Sequence, residues 1–126
     1  MKRASSFEYY RPTEISEVCS ILLENGPRAS LLAGGTDLLV RIKRSLHKAD
    51  VVIDLGALDE LRVIEARPEG LWIGAMANAA EIASHGLVKD RFSAVARSAR
   101  VLGANQIRNM ATLGGGLSSG LRCQFR

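Results

Sequence analysis

Two glycine-bearing stretches are where this 126-residue chain could meet a ligand. The first runs Leu31-Leu32-Ala33-Gly34-Gly35-Thr36-Asp37-Leu38-Leu39-Val40 and reads as a strand, a double-glycine turn and a helix start. Glycines let a backbone turn sharply and approach a bound group, and the first amides of a helix point outward at the positive end of its dipole. Binding of a pyrophosphate is the chemistry that suits this shape. The bland alternative is a tight connection, which is what Gly-Gly before a helix is in most proteins. The second stretch, Asn105 to Gly120, holds Ala111-Thr112-Leu113-Gly114-Gly115-Gly116, a triple glycine preceded by a hydroxyl residue. It predicts a flexible rim with Thr112 as a hydrogen-bond partner, against the alternative of a plain loop or hinge. Two such turns in one small chain point to a ligand lying between them.

Little else in the sequence could act chemically. His47 and His85 have no Cys or His at metal-ligand spacing, and each falls near a helix end, where the dipole accounts for it. No Ser-His-Asp set and no paired carboxylate emerges, so any redox chemistry has to be a cofactor's. An acidic side chain beside a phosphate repels it, so Asp37 is expected to turn toward backbone amides or solvent.

The elements that must position the two stretches follow from pattern. Phe7 to Tyr10 is a β-prone run ended by Pro12, and Thr13 is expected to cap a three-turn helix with Ile15, Val18, Cys19, Leu22 and Leu23 on its buried stripe. Gly26-Pro27 stops that helix, and Ala29 to Ala33 is a second strand parallel to the first. A helix from Thr36 to about Ser45 buries Leu38, Leu39 and Ile42, with Thr36 as its cap. Val51 to Leu55, apolar almost throughout, predicts a central strand covered on both faces. Beyond Gly56, Leu61–Glu65 and Leu71–Gly74 predict an antiparallel hairpin. Asn78 to Glu81 reads as a capping box for a short helix ending at His85-Gly86. One longer helix then carries Phe92, Val95, Ala96, Ala99 and Leu102 to Gly103. The fold class is α+β, with residues 1–56 forming a βαβαβ unit and residues 57–126 a partial second α+β unit.

Composition narrows the function classes. The chain is 47% apolar, enough for a modest core, and has no apolar run of membrane-spanning length. Met1 to Glu8 lacks the apolar centre of a signal peptide, which predicts a soluble, cytoplasmic protein with no membrane partner. A net charge of +4 invites a nucleic-acid reading, but the cations are dispersed and aromatics make up 5%, so no stacking platform is expected. The densest cluster, Arg41 to Arg44 with His47-Lys48, falls at a helix end, where cations suit the dipole. Both cysteines are expected to be reduced thiols, Cys19 as a buried small hydrophobe.

Taken together, Leu32-Ala33-Gly34-Gly35-Thr36-Asp37-Leu38-Leu39, then Ile73-Gly74-Ala75, then Gln106-Ile107-Arg108-Asn109 running into Ala111-Thr112-Leu113-Gly114-Gly115, resemble the FAD-binding subunit of the molybdenum hydroxylases. This is the xanthine dehydrogenase family, with carbon monoxide dehydrogenase medium subunits and 4-hydroxybenzoyl-CoA reductase β subunits among its members, the last being the branch the tail resembles most. The resemblance covers essentially the whole chain in order. It implies the two-subdomain FAD-binding fold shared with vanillyl-alcohol oxidase and p-cresol methylhydroxylase, with FAD as cofactor. It further implies that Leu32, Ala33, Gly34, Gly35, Thr36, Asp37 and Leu38 hold the pyrophosphate through backbone amides. Ala111, Thr112, Leu113, Gly114, Gly115 and Gly116 would line the other side, and Leu102 would lie near the flavin. The partners implied are a molybdenum-pterin subunit and an iron-sulfur subunit, with a homo-oligomer also open. Electrons would pass between the iron-sulfur clusters and the flavin, with no molybdenum or organic substrate bound by this chain.

Three features depart from that pattern. The family usually has Asn after the second Gly-Gly, where this chain has Gly116, which removes a side-chain amide from the site. Leu121 to Phe125 resembles a tail whose cysteines hold an extra iron-sulfur cluster, but Ser118 replaces one such cysteine and Cys123 alone cannot hold it. The family's flavin subunits are also considerably longer, so the chain is expected to be a truncated product or fragment. The alternative to a flavin protein is an assembly module that keeps the fold without cofactor; a nucleic-acid binder would rest on charge alone.

Overall fold

The computed structural model describes residues 6–119. Its first half is built on strands β1 (Glu8–Tyr10), β2 (Ala29–Leu32) and β3 (Val51–Asp54), connected by helices α1 (Ile15–Asn25) and α2 (Leu38–Lys43). The strands are parallel in the order β1-β3-β2, with Glu8 and Ala29 both paired to Val51 and Leu32 paired to Asp54. A parallel sheet needs cover on both faces, and β3 is apolar on both because each takes a helix. Val51 and Ile53 pack with Val18 and Ile21 of α1 and with Leu58, while Val52 packs with Ile42 of α2 and Ala49. The central position expected for this strand is therefore observed.

Two 3₁₀ turns, Leu55–Ala57 and Asp59–Leu61, lead to an antiparallel hairpin of β4 (Ile64–Arg67) and β5 (Gly70–Ile73). Helices α3 (Ala79–Ser84), α4 (Gly86–Arg91), α5 (Ser93–Arg100), α6 (Asn105–Arg108) and α7 (Leu113–Ser118) follow. Ala77, Ile82, Val88 and Ala96 form their shared core, against which Ile64, Leu71 and Ile73 of the hairpin and Leu113 of α7 pack. A parallel βαβαβ layer is thus combined with an antiparallel hairpin and a run of helices, and the α+β class expected from the sequence is the one found.

Several local expectations are corrected. The α1 stripe is narrower than the apolar pattern: Val18 and Ile21 are buried, whereas Cys19 is exposed and Leu23 is 85% exposed. At 3.6 residues per turn, Val18 and Ile21 face the sheet and Cys19 is carried to the side. Glu14 rather than Thr13 occupies the N-cap of α1, and Asp37 rather than Thr36 that of α2, neither with a side-chain cap bond. The hairpin's first strand begins at Ile64 because Leu61 is taken into the preceding 3₁₀ turn. The longer helix is found as Ser93–Arg100, and a further short helix, Gly86–Arg91, not expected from the sequence, precedes it and ends at Phe92 with φ −135° and ψ 52°. The triple glycine, expected to be a loop, lies inside α7. His47 shares a hydrogen bond of 2.8 Å with Ser30 Oγ, and His85 joins α3 to α4. Cys123 falls outside the described residues.

The capping box is present as expected. Asn78 Oδ1 accepts from Glu81 N–H at 2.8 Å and Glu81 Oε2 accepts from Asn78 N–H at 2.8 Å. Replacing Asn78 with Ala removes one of these bonds and should lower unfolding free energy by about 0.5–2 kcal/mol, with Asn78→Ser retaining most of it. Urea denaturation of the three proteins, read at matched m-values, checks this.

Candidate functional site

The first glycine turn leaves β2 at Leu32 and enters α2 at Leu38, and its shape is set by two different demands. Gly35 has φ +73°, the left-handed region that side chains resist. Gly34 is required for space: a Cβ there would stand 1.8 Å from the Met110 carbonyl oxygen. The first turn is thus pressed directly onto the backbone that leads into the second.

That second stretch is fixed by main-chain hydrogen bonds to the segment after the hairpin. Leu113 N–H donates to the Ala77 carbonyl at 3.0 Å, Gly114 N–H to the Ala75 carbonyl at 2.8 Å, and Ala79 N–H to the Ala111 carbonyl at 2.9 Å. Thr112, buried, is the N-cap of α7, its Oγ1 accepting from Gly115 N–H at 3.2 Å. The Thr112 hydroxyl oxygen therefore serves the helix as an acceptor while its O–H remains a donor, and the amides of Leu113 to Gly116 all have acceptors within the protein. The sequence predicts a flexible rim here; Thr112, a hydroxyl residue suited to an N-cap, is the signal that the glycines after it form a helix.

Between the two turns lies an open groove of about 410 Å³. Its wall includes Ala33, Gly34, Gly35, Thr36, Asp37 and Leu38 on one side and Ala111, Thr112, Gly115 and Gly116 on the other, with Leu102 at one end. Of the residues singled out in the sequence, Leu32, Leu113 and Gly114 lie outside that wall. Leu32 turns to a neighbouring cavity, Leu113 joins the helical core, and Gly114 sits where a Cβ would meet that of Ala75 at 2.8 Å. Leu31, Gly103, Ile107, Ser118 and Ser119 also line the groove and were not anticipated. A glycine closing α5 is the signal that could have found Gly103 and Ile107, because Gly103, at φ +51°, turns the chain at the end of that helix; nothing comparable marks Leu31, Ser118 or Ser119. Arg108 holds that turn by donating from Nη1 to the Leu102 carbonyl at 3.3 Å and to the Gly103 carbonyl.

Among the described residues the groove wall holds no Lys or Arg, and what it offers a negatively charged ligand is backbone and hydroxyl groups, with aliphatic side chains for an apolar ring. A volume of about 410 Å³ would accept a large part of a dinucleotide, not a whole one; about 300–1,000 Å³ is the usual range for such sites. Glycines at the wall allow the close backbone approach a pyrophosphate needs, and Gly116 has nothing within 4 Å of its Cβ position. The residues present fit FAD.

A βαβαβ layer whose glycine turn faces a second glycine-rich segment across a groove is the architecture of an FAD-binding domain of the p-cresol methylhydroxylase type. Residues 5–122 match the family described as "FAD binding domain in molybdopterin dehydrogenase". The chain is 36% identical over 115 residues to the nicotinate dehydrogenase FAD-subunit of Eubacterium barkeri, covering 90% of this chain and 38% of that one. It is 33% identical over 114 residues to the carbon monoxide dehydrogenase medium chain of Hydrogenophaga pseudoflava, covering 90% and 40%. The structure of carbon monoxide dehydrogenase from that organism superposes with a TM-score of 0.89 at 32% identity, over 92% of this chain and 40% of that one. Quinoline 2-oxidoreductase from Pseudomonas putida 86 gives a TM-score of 0.87 at 27% identity, with 92% and 40% covered. The chain belongs to the FAD-binding domain family of the molybdopterin dehydrogenases, the flavin subunits of the xanthine dehydrogenase group. It spans 38–40% of the length of these relatives. Among the described residues no helix is long and apolar enough to cross a membrane, and no cluster of His, Cys, Asp or Glu could hold a metal.

Gly34 and Gly116 separate the two roles glycine plays here. Gly34→Ala should destabilise by about 1–3 kcal/mol or more, because the obstructing atom is main chain. Gly116→Ala, in a helix with open space, should stabilise by about 0.5–1 kcal/mol. Thermal melts of both variants are the check, and equal effects would contradict the distinction.

Proposed function

We propose that this chain holds FAD in the groove between its two glycine-rich segments and serves as the flavin-bearing, electron-transfer part of a molybdenum-dependent oxidoreductase. The observation that carries the reading is the groove itself, whose wall gathers Ala33 to Leu38 with Leu102, Ala111, Thr112, Gly115 and Gly116. In this reading the residues after Leu32 meet the pyrophosphate through main-chain groups, Gly35 giving the approach its left-handed turn. Leu102 and Ile107 exclude water from an apolar ring, and Asp37 stands at the N-cap of α2, where its charge favours the helix dipole. Bound FAD supplies two-electron and one-electron transfer, which none of this chain's side chains offers.

The partners in this reading are a molybdenum-pterin subunit and an iron-sulfur subunit, the flavin passing electrons between the clusters and an external carrier. Two of the relatives are themselves named as a FAD-subunit and a medium chain, which supports membership of such an assembly. The chain is not expected to be active alone. A cytoplasmic location goes with this reading, and a homo-oligomer is compatible with it.

Flavin retention tests the proposal directly. After addition of FAD and desalting, the purified chain should keep flavin absorbance. A folded protein with none would favour a cofactor-free assembly module instead. Gly35→Val should abolish retention, since a β-branched residue at φ +73° adds about 1–3 kcal/mol of strain and its Cβ would stand 3.0 Å from Leu39 Cδ1. Gly116→Asn should tighten FAD about two- to twelve-fold, the worth of one added hydrogen bond, because the Cβ position is open and φ there is not left-handed. Flavin fluorescence quenching at fixed salt measures both, and unchanged affinity in Gly35→Val would remove the turn from the site.

A further inference from the structure

The parallel sheet ends on a second cavity. In open α/β sheets ligands bind in the crevice beyond the carboxyl ends of the strands. Here all three strands end on one cavity of about 290 Å³, β1 through Arg11, β2 through Leu32 to Gly35, and β3 through Asp54 and Gly56. It adjoins the flavin groove and shares Ala33, Gly34, Gly35 and Thr112 with it. Strand alternation gives Leu32 to this cavity and Leu31 to the groove. The charged residues of its wall, Arg11, Asp54 and Arg62, are absent from the groove.

Asp54 at first suggests a cation, but its carboxylate is already filled. Oδ1 accepts from Gly56 N–H at 2.8 Å, and Oδ2 accepts from the Tyr9 hydroxyl and faces Arg11 Nε at 3.7 Å. The hydrogen bond to Asp54 also raises the Tyr9 phenol above its ordinary pKa, so this donor stays protonated. Arg62, half-buried, has one long bond, from Nη2 to the Gly56 carbonyl at 3.5 Å, and enters none of the ion pairs among the described residues. A guanidinium carries five donors in a planar fork that matches carboxylate or phosphate. Among the described residues, two guanidiniums against one satisfied carboxylate give the cavity excess positive charge and unfilled donors.

We propose that this cavity binds a small oxyanion, a carboxylate- or phosphate-bearing molecule gripped by Arg62 and steadied by Arg11, at a site separate from the flavin groove. Asp54 acts there as a positioning residue, holding Arg11 beside the cavity. The volume suits a phosphate ester or a short dicarboxylate, not a dinucleotide.

The test is calorimetric titration of the full chain, equilibrated with FAD, using inorganic phosphate and, separately, malonate, with ionic strength held constant by chloride. Saturable binding of at least one is expected. Arg62→Gln should weaken it about tenfold or more, and Arg62→Lys should fall between, keeping charge but losing the fork. Tighter phosphate assigns a phosphate ester, and tighter malonate assigns a carboxylate. Absence of saturation in the millimolar range, or binding indifferent to Arg62→Gln, overturns the proposal. So does phosphate binding that FAD displaces, since that belongs to the flavin groove. Circular dichroism screens each variant, and Arg11→Gln with Arg62→Lys carries the comparison if Arg62→Gln does not fold. The same titration without FAD keeps the result readable if the chain retains no flavin, so the two readings fail separately.

Discussion

The contact on which the rest depends is between two stretches of main chain: the Cα of Gly34 lies against the Met110 carbonyl, with no room for a methyl group between them. This joins the loop after β2 to the turn that follows α6, more than seventy residues further along the chain. The other close approaches are of the same kind. A Cβ at Gly74 would meet the Leu61 carbonyl at 2.2 Å, and Leu61 in turn accepts from Met76 N–H at 2.7 Å. The joint between the parallel sheet and the hairpin-and-helix half thus combines backbone contact at Gly34 with the packing of Leu58 and Leu61 into the sheet's core.

Such a joint costs conformational freedom, because glycine is the residue that loses most on ordering. The compensation lies in what the joint brings together. Val51, Val52 and Ile53 are buried between helices on both faces, and the second core runs from the hairpin through α3, α4 and α5 to Leu113. Short elements with little intrinsic stability are therefore held by tertiary packing, as helices of this length must be.

The fold was legible where pattern and punctuation agreed. β3 announced itself by an apolar run, α3 by its capping box, and the end of α1 by Gly26-Pro27. Reading failed where a position had two possible partners. Cys19 fits a helical apolar stripe, but the sheet offers a narrow strip of contact that Val18 and Ile21 already fill. Leu61 fits a strand, but its carbonyl is claimed by Met76. The Thr112 hydroxyl and the glycines after it fit a ligand loop, yet local capping turns them into a helix whose amides are taken. For the groove, the two glycine motifs indicated which segments would meet. They could not indicate Gly103 and Ile107, whose part depends on how the chain turns at the end of α5.

The glycines in the groove wall have a consequence for how this protein can change. Side chains exchange readily under mutation, whereas the peptide groups lining the groove are the same whatever the neighbouring residues become. The domain can therefore drift far in composition while the main-chain part of the groove stays as it was. The positions at which drift must stop are few, and Gly34 marks the sharpest of them: a single added carbon there reaches both the joint and the groove.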